Sequence, residues 1–159
     1  MSRKLVLRRS PIHGNGVFAA CDLPAGTRLV RYRGQLRSHS EVDDCYGGDY
    51  DSGHTFLFTL NDEYVVDANV GGNIARWINT SCEPNCEAVI VEDPKGRRAH
   101  DRIFIETIKP VRAGEELTYD YGITLDEPHT PRLRKIWACR CGKKRCTGTM
   151  LRPKRKRAS

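Results

Sequence analysis

Three cysteines crowd one short stretch near the C-terminus, Cys139-Arg140-Cys141 and Cys146, spaced C-x-C-x4-C. That spacing suits a metal better than a disulfide. The chain has seven cysteines, an odd number, and residues 1–9 are basic without the apolar run of a secretory signal, so the thiols are expected to stay reduced. Zinc takes four tetrahedral ligands, and the segment supplies three. Spacing alone leaves Cys21, Cys45, Cys82, Cys86 and the five histidines as candidates for the fourth. A second stretch, residues 72–86, reads G-N-I-A-R-W-I-N-T-S-C-E-P-N-C. Asn79, Thr80 and Ser81 are small polar groups that can bond backbone or a ligand, and Pro84-Asn85 enforces a turn. A third, Thr118-Tyr119-Asp120-Tyr121, would point both tyrosines to one face of a strand. The fourth is the turn His13-Gly14-Asn15-Gly16, where missing Cβ atoms let backbone approach a ligand closely. Taken alone it is an ordinary hairpin loop. A dinucleotide fingerprint needs a third glycine and a helix, and Pro24 and Gly26 follow instead.

The elements that must hold these groups are short. At 159 residues, 38% hydrophobic and 30% charged, the chain has room for one ordinary core. No apolar run approaches the roughly 20 residues that cross a bilayer, so no membrane partner is expected. Apolar and β-branched runs predict strands at 5–7, 17–20, 27–33, 55–60, 63–67, 87–92 and 102–108. Asn61-Asp62 and Asp93-Pro94-Lys95-Gly96 are turn signals between them. Helix is limited to one or two turns at 73–78 and a single capped turn at Ser40-Glu41-Val42-Asp43, inside an otherwise irregular 38–54. No βαβ rhythm is present, which predicts a mostly β domain. Net charge is +7, favouring polyanions or acidic surfaces, but it is unevenly spread. Glu41, Asp43, Asp44, Asp49 and Asp51 form either a solvated loop or an acidic rim for a basic peptide. Arg152, Lys154, Arg155, Lys156 and Arg157, with Lys143, Lys144 and Arg145, would permit nucleic-acid contact.

These motifs, in this order, resemble the SET-domain protein lysine methyltransferases. Residues 72–86 are similar to the family's R-x-x-N-H-S-C-x-P-N, and His13-Gly14-Asn15-Gly16-Val17-Phe18-Ala19 to its H-G-x-G-V-F-A. Tyr32-Arg33-Gly34-Gln35 resembles Y-x-G-E, residues 114–121 match G-E-E-L-T-[YF]-D-Y without a gap, and 139–146 resemble the post-SET C-x-C-G-x3-C. The chain departs from the family in Thr80 for His, Gln35 for Glu, and the lack of a preceding cysteine cluster.

The resemblance implies a mostly β fold: short strands in several small sheets, little helix, and a pseudoknot in which 79–82 threads a loop containing 117–121. It implies a SET domain at 5–122, a zinc-binding post-SET segment at 123–151 and a basic, flexible tail at 152–159, in a compact stand-alone form of bacterial type. The implied activity is S-adenosylmethionine-dependent lysine N-methylation, mainly mono- and some dimethylation. Tyr121 would stand beside the transferred methyl, with Tyr32 and Tyr119 lining the lysine channel. His13, Gly14, Asn15, Gly16, Phe56, Asn79, Thr80, Tyr121 and Trp137 would hold S-adenosylmethionine. Cys82 would join Cys139, Cys141 and Cys146 on one structural zinc, with Cys86 the runner-up. The implied substrate is a lysine in a basic protein, such as a histone-like or ribosomal tail. The expected compartment is cytoplasmic in a bacterium or nuclear in a eukaryote, without secretion. The rival from a different class is a zinc-stabilised basic module that binds nucleic acid or protein without catalysis; a SET-like scaffold without activity is a third reading.

Overall fold

In the computed structural model, residues 4–12, 14–46, 56–121, 131, 139, 141, 146 and 149 are described. Among the described residues, ten short strands carry the fold: β1 (Leu5–Arg9), β2 (Asn15–Ala19), β3 (Arg28–Arg31), β4 (Gln35–Ser38), β5 (Leu57–Thr59), β6 (Tyr64–Asp67), β7 (Asn79–Thr80), β8 (Cys86–Val91), β9 (Arg102–Thr107) and β10 (Thr118–Tyr119). Helix α1 (His39–Tyr46) follows β4, and 3-10 turns occupy Ile74–Trp77 and Arg98–His100. The strands form four small sheets, ordered β1-β2, β3-β9-β8, β4-β6-β5 and β10-β7. This is the mostly β architecture that the residue pattern predicts.

Local chemistry explains most of the boundaries. β1 and β2 form an antiparallel hairpin, with Leu5 opposite Ala19 and Arg9 opposite Asn15. Its turn closes through the Ser10 N–H to the Gly14 carbonyl at 2.7 Å, and Gly14 has a φ of +47°. The turn between β5 and β6 is tied by Asn61, whose Oδ1 accepts from the Glu63 and Tyr64 N–H groups, each at 2.9 Å. Asn favours such turns because its side chain mimics a backbone carbonyl. The β8–β9 turn closes through the Gly96 N–H to the Asp93 carbonyl at 2.9 Å.

Several expectations need correction. β3 ends at Arg31, so Tyr32 and Arg33 lie outside the strand expected at 27–33. The Arg33 N–H turns to Asn73 Oδ1 instead of a ladder partner. The polar strand β4 gives no alternating apolar signal; antiparallel pairing with β6, from Gln35–Asp67 to Ser38–Tyr64, makes it a strand. Helix α1 runs eight residues instead of one turn. Its cap is Ser38, not Ser40: Ser38 Oγ accepts the Glu41 N–H at 3.2 Å, and Glu41 Oε1 accepts the Ser38 N–H at 3.3 Å. That reciprocal pair is a capping box.

The core lies beneath the sheets. On β9, Ile103, Ile105 and Thr107 point inward while Arg102, Phe104 and Glu106 point outward, the period of two that a half-buried strand requires. Val17, Ala19, Ile78, Val111 and Leu117 complete its centre. Two functional stretches far apart in sequence meet over this core. β7 and β10 run parallel, with Asn79 opposite Thr118 and Thr80 opposite Tyr119. These are the segments that the resemblance joins in a pseudoknot. Two-residue strands pair weakly, and side chains supply the missing ties. Buried Asn85 gives its Oδ1 to the Thr118 N–H and its Nδ2 to the Glu116 carbonyl, both at 2.9 Å.

Candidate functional site

The T-Y-D-Y run behaves as its spacing requires. Tyr119 and Tyr121 face the same way, with ring centroids 4.9 Å apart. Tyr119 lies 6.2 Å from the Phe58 ring, and Phe58 lies 5.2 Å from Tyr32. The three tyrosines singled out from sequence thus stand on one continuous aromatic wall. Phe58, its middle member, is the residue that sequence reasoning missed. Its signal was present: Phe56-Leu57-Phe58 alternates, so Phe56 and Phe58 share a face. Phe56 itself joins a different aromatic group. It meets the Trp77 ring edge-on at 5.2 Å, with the Arg76 guanidinium over both rings.

Electrostatics keep the wall neutral. Burial pushes the Tyr32 phenol well above its ordinary value; Asp67 raises it further, and Arg76 partly opposes this. Burial also raises Tyr119, helped by Tyr121 and Tyr32. Tyr121 is raised by burial, then by Tyr32 and Glu116. Phenols in such surroundings stay protonated at neutral pH because the phenolate would lose its hydration. The Tyr121 hydroxyl donates to the Ile78 carbonyl, so what its oxygen offers a neighbour is a lone pair.

Thr80 fills its position in a definite way. Its Oγ1 accepts the Tyr121 N–H at 3.2 Å. The hydroxyl therefore ties β7 to the tyrosine segment without the histidine that is usual in the motif. Asn79 reaches the other side, where its Nδ2 donates to the Asn15 carbonyl at 3.1 Å and to Glu116 Oε2 at 2.9 Å. The glycine turn, Asn79 and Thr80, and the tyrosine wall are consequently one connected assembly. His13 and Trp137 lie outside the described residues.

The cysteines form a second centre. The Sγ atoms of Cys82, Cys139, Cys141 and Cys146 all lie within 4.8 Å of one another. Cys82 Sγ is 3.7 Å from that of Cys139 and 3.8 Å from that of Cys146. Four thiolates around zinc at about 2.3 Å sit about 3.8 Å apart in a tetrahedron, so the donor set and its spacing fit that ion. Burial, with the neighbouring sulfurs, pushes the Cys139 thiol up, and a cation would be needed to hold the group as thiolates. The group could hold a metal ion. Cys86 is not part of it. It opens β8 in the core, and burial pushes its thiol up to about 12. Cys21 is half-buried and packs against the core; the side chain of Cys45 lies outside the described residues.

Comparison with known proteins decides the family. A SET domain profile matches residues 14–122. The chain belongs to the SET-domain family. The histone-lysine N-methyltransferase trithorax of Drosophila virilis is 39% identical over 140 residues, covering 87% of this chain and 3% of that protein. Histone-lysine N-methyltransferase 2B of Homo sapiens is 36% identical over 140 residues, covering 87% of this chain and 5% of that protein. This SET chain therefore spans a small fraction of the relatives it matches. Among solved structures, a humanized mutant of the Chaetomium thermophilum Polycomb Repressive Complex 2 bound to the inhibitor GSK126 superposes with a TM-score of 0.65 and 32% identity, covering 77% of this chain and 15% of that one. The aromatic wall, the β7–β10 pair and residues 14–16 of the glycine turn fall inside the matched SET region, whereas Cys139, Cys141 and Cys146 lie after it.

Proposed function

We propose that this SET-domain chain is an S-adenosylmethionine-dependent protein lysine N-methyltransferase that mainly adds one methyl group. The observation that carries the reading is the joined assembly of Tyr32, Phe58, Tyr119 and Tyr121, tied through Thr80 to a strand whose Asn79 bonds the glycine turn. The names of its relatives, histone-lysine N-methyltransferases, support the same reading.

When bound, S-adenosylmethionine supplies an electrophilic methyl group on a sulfonium. Gly14, Asn15, Gly16, Asn79 and Thr80 would hold it, with His13, Phe56 and Trp137 completing the set. The remaining work belongs to this chain's own side chains. A lysine amine must shed its proton to attack, and its free pKa is about 10.4. A channel walled by Tyr32, Phe58 and Tyr119 excludes water and so disfavours the ammonium. Neutral phenols beside it leave no phenolate to hold the amine in its charged form. The Tyr121 oxygen, with its own proton given to Ile78, can accept weak C–H···O contacts from a methyl group and steer it. Alignment at roughly 3 Å supplies the rest, without a triad-type base. Tyr119 fills space beside Tyr121 where a second methyl would need to sit, which favours monomethyllysine and slows further rounds.

The four clustered cysteines would hold one structural zinc, closing a segment at 123–151 behind a SET domain at 5–122. The substrate proposed is a lysine set among other basic residues, as in a histone-like or ribosomal tail, drawn by Glu41, Asp44 and the acids near them. The compartment follows that substrate: nuclear in a eukaryotic cell, cytoplasmic in a bacterial one. Nucleic-acid contact would fall to the basic C-terminal residues. Transfer of labelled methyl groups to mixed basic proteins tests the reading. Incorporation into lysine is expected; cofactor binding without transfer would leave a SET scaffold, and no binding would leave the basic module.

A further inference from the structure

Glu116 sits where three segments meet, the glycine turn, β7 and the start of the tyrosine segment. Ser10 Oγ lies 2.8 Å from Oε1 and 2.7 Å from Oε2, and donates to the carboxylate. The same Ser10 oxygen accepts the Ile12 N–H at 2.9 Å, inside the glycine turn. Asn79 Nδ2 donates to Glu116 Oε2 at 2.9 Å. A Cβ added at Gly16 would overlap Glu116 Oε2 and stand 2.8 Å from Ser10 Cβ. A side chain at position 16 would thus displace the carboxylate and press on Ser10 Cβ, which cannot swing away. The Glu116 backbone is held too, by a bridge to Phe18 and by Asn85 Nδ2 on its carbonyl.

We propose that Glu116 is a positioning residue for the methyl donor: its carboxylate locks the Asn79 carboxamide and the glycine turn into one pre-formed wall of the donor pocket. The inference rests on the donor-binding reading above. A carboxamide has two faces that crystallise into different roles, a donating nitrogen and an accepting oxygen. Here the nitrogen meets two acceptors, Glu116 Oε2 and the Asn15 carbonyl. Turning the amide over would set its oxygen against a carboxylate and a carbonyl, so one orientation is fixed before any ligand arrives. A wall ordered in advance loses less freedom on binding, which favours affinity. The carboxylate also carries charge. S-adenosylmethionine bears a cationic sulfonium and an ammonium, and a half-buried negative charge attracts both more strongly than one in bulk water.

The test is calorimetric titration of the full, metal-loaded chain with S-adenosylmethionine, alongside steady-state kinetics. Glu116→Gln keeps the shape and removes the charge; Glu116→Ala removes the tie. The Gln variant is expected to bind the donor roughly tenfold more weakly, the scale of one charge-assisted hydrogen bond. Its KM for the donor should rise in parallel, while kcat at saturating donor changes by less than about threefold. The Ala variant should lose more; if it does not fold, the Gln variant alone decides. Donor affinity unchanged in the Gln variant, or a loss confined to kcat, would overturn the role given to Glu116. Absence of donor binding by the unaltered chain is a different result and overturns the donor reading itself.

Discussion

Tyr119 and Tyr121 share a face, Tyr119 buried and Tyr121 half-buried, and the proposed reaction gives their hydroxyls different work. The Tyr121 hydroxyl is anchored on the Ile78 carbonyl and its backbone on Thr80, so its oxygen is held in place. Tyr121→Phe should lose most activity, on the order of a hundredfold, since alignment is the main catalytic term. Tyr119→Phe should keep activity and move the product toward di- and trimethyllysine. Crowding by one heavy atom discriminates by about 1–3 kcal/mol, roughly 10–200-fold, so the shift should be large but incomplete. Mass spectrometry of a reacted peptide reads both, and predominant trimethyllysine from the unaltered chain would remove Tyr119 as the limiting residue. Cys86 gives a pH prediction. Its folded thiol is raised from an ordinary 9.0 to about 12 by burial. A raised folded value means the stabilisation is complete below pH 9 and is lost as pH climbs toward 12. By pH 10 the loss should be about 1.4 kcal/mol. Denaturant titrations at pH 8 and 10 should show a smaller drop in Cys86→Ala than in the unaltered chain; equal drops would refute the assignment.

At the scale of elements, weak pieces are held by ties from elsewhere in the chain. β7 and β10 contribute two residues each, and Asn85 and Thr80 stitch them together. The cysteine cluster is the same device in stronger form, because Cys82 follows β7 by two residues while its partners lie more than fifty residues later. A metal there would couple the C-terminal segment to the strand that carries Asn79 and Thr80. Freshly purified, reduced protein should contain about one zinc per chain. Cys139→Ser should lose it and weaken donor binding as well, because metal binding and folding are coupled. Elemental analysis finding no zinc in the unaltered chain would reject the site; donor affinity unchanged in the zinc-free variant would reject the coupling.

For the molecule as a whole, charge is divided. The chain carries +7, but α1 has Glu41 in its first turn, then Asp43 and Asp44, and Asp49 and Asp51 follow in sequence. Opposite charge raises the encounter rate of a basic peptide at low salt and fades when the screening length falls to about 8 Å at physiological ionic strength. Replacing Asp43, Asp44, Asp49 and Asp51 with Asn should raise KM for a basic peptide by roughly three- to tenfold at low salt, with little change in kcat. The difference should shrink as salt is added. An unchanged KM would make these acids a solvated face only. Glu41 is left out of this set because it caps α1 through Ser38.

What the sequence determined by itself was the inventory and much of the local geometry. Asn61 and Gly96 marked their turns because side-chain mimicry and a φ of +73° are local properties. The alternation along β9 and the shared face of Tyr119 and Tyr121 follow from the strand period alone. The cysteine spacing suggested a metal-binding group one ligand short, and the family's pattern named Cys82, whose Sγ does lie with those of Cys139, Cys141 and Cys146. Tertiary structure decided what depends on segments meeting. β4 has no apolar rhythm and becomes a strand through β6; α1 is capped by a serine two residues earlier than expected. Phe58 enters the aromatic wall because β5 sets it between Tyr32 and Tyr119. Thr80 keeps the contact to the tyrosine segment because β7 lies parallel to β10, and Glu116 reaches Ser10 and Asn79 across 106 and 37 residues of chain. Contacts between residues so far apart leave no periodic trace in either segment, so they become visible only once the chain has folded.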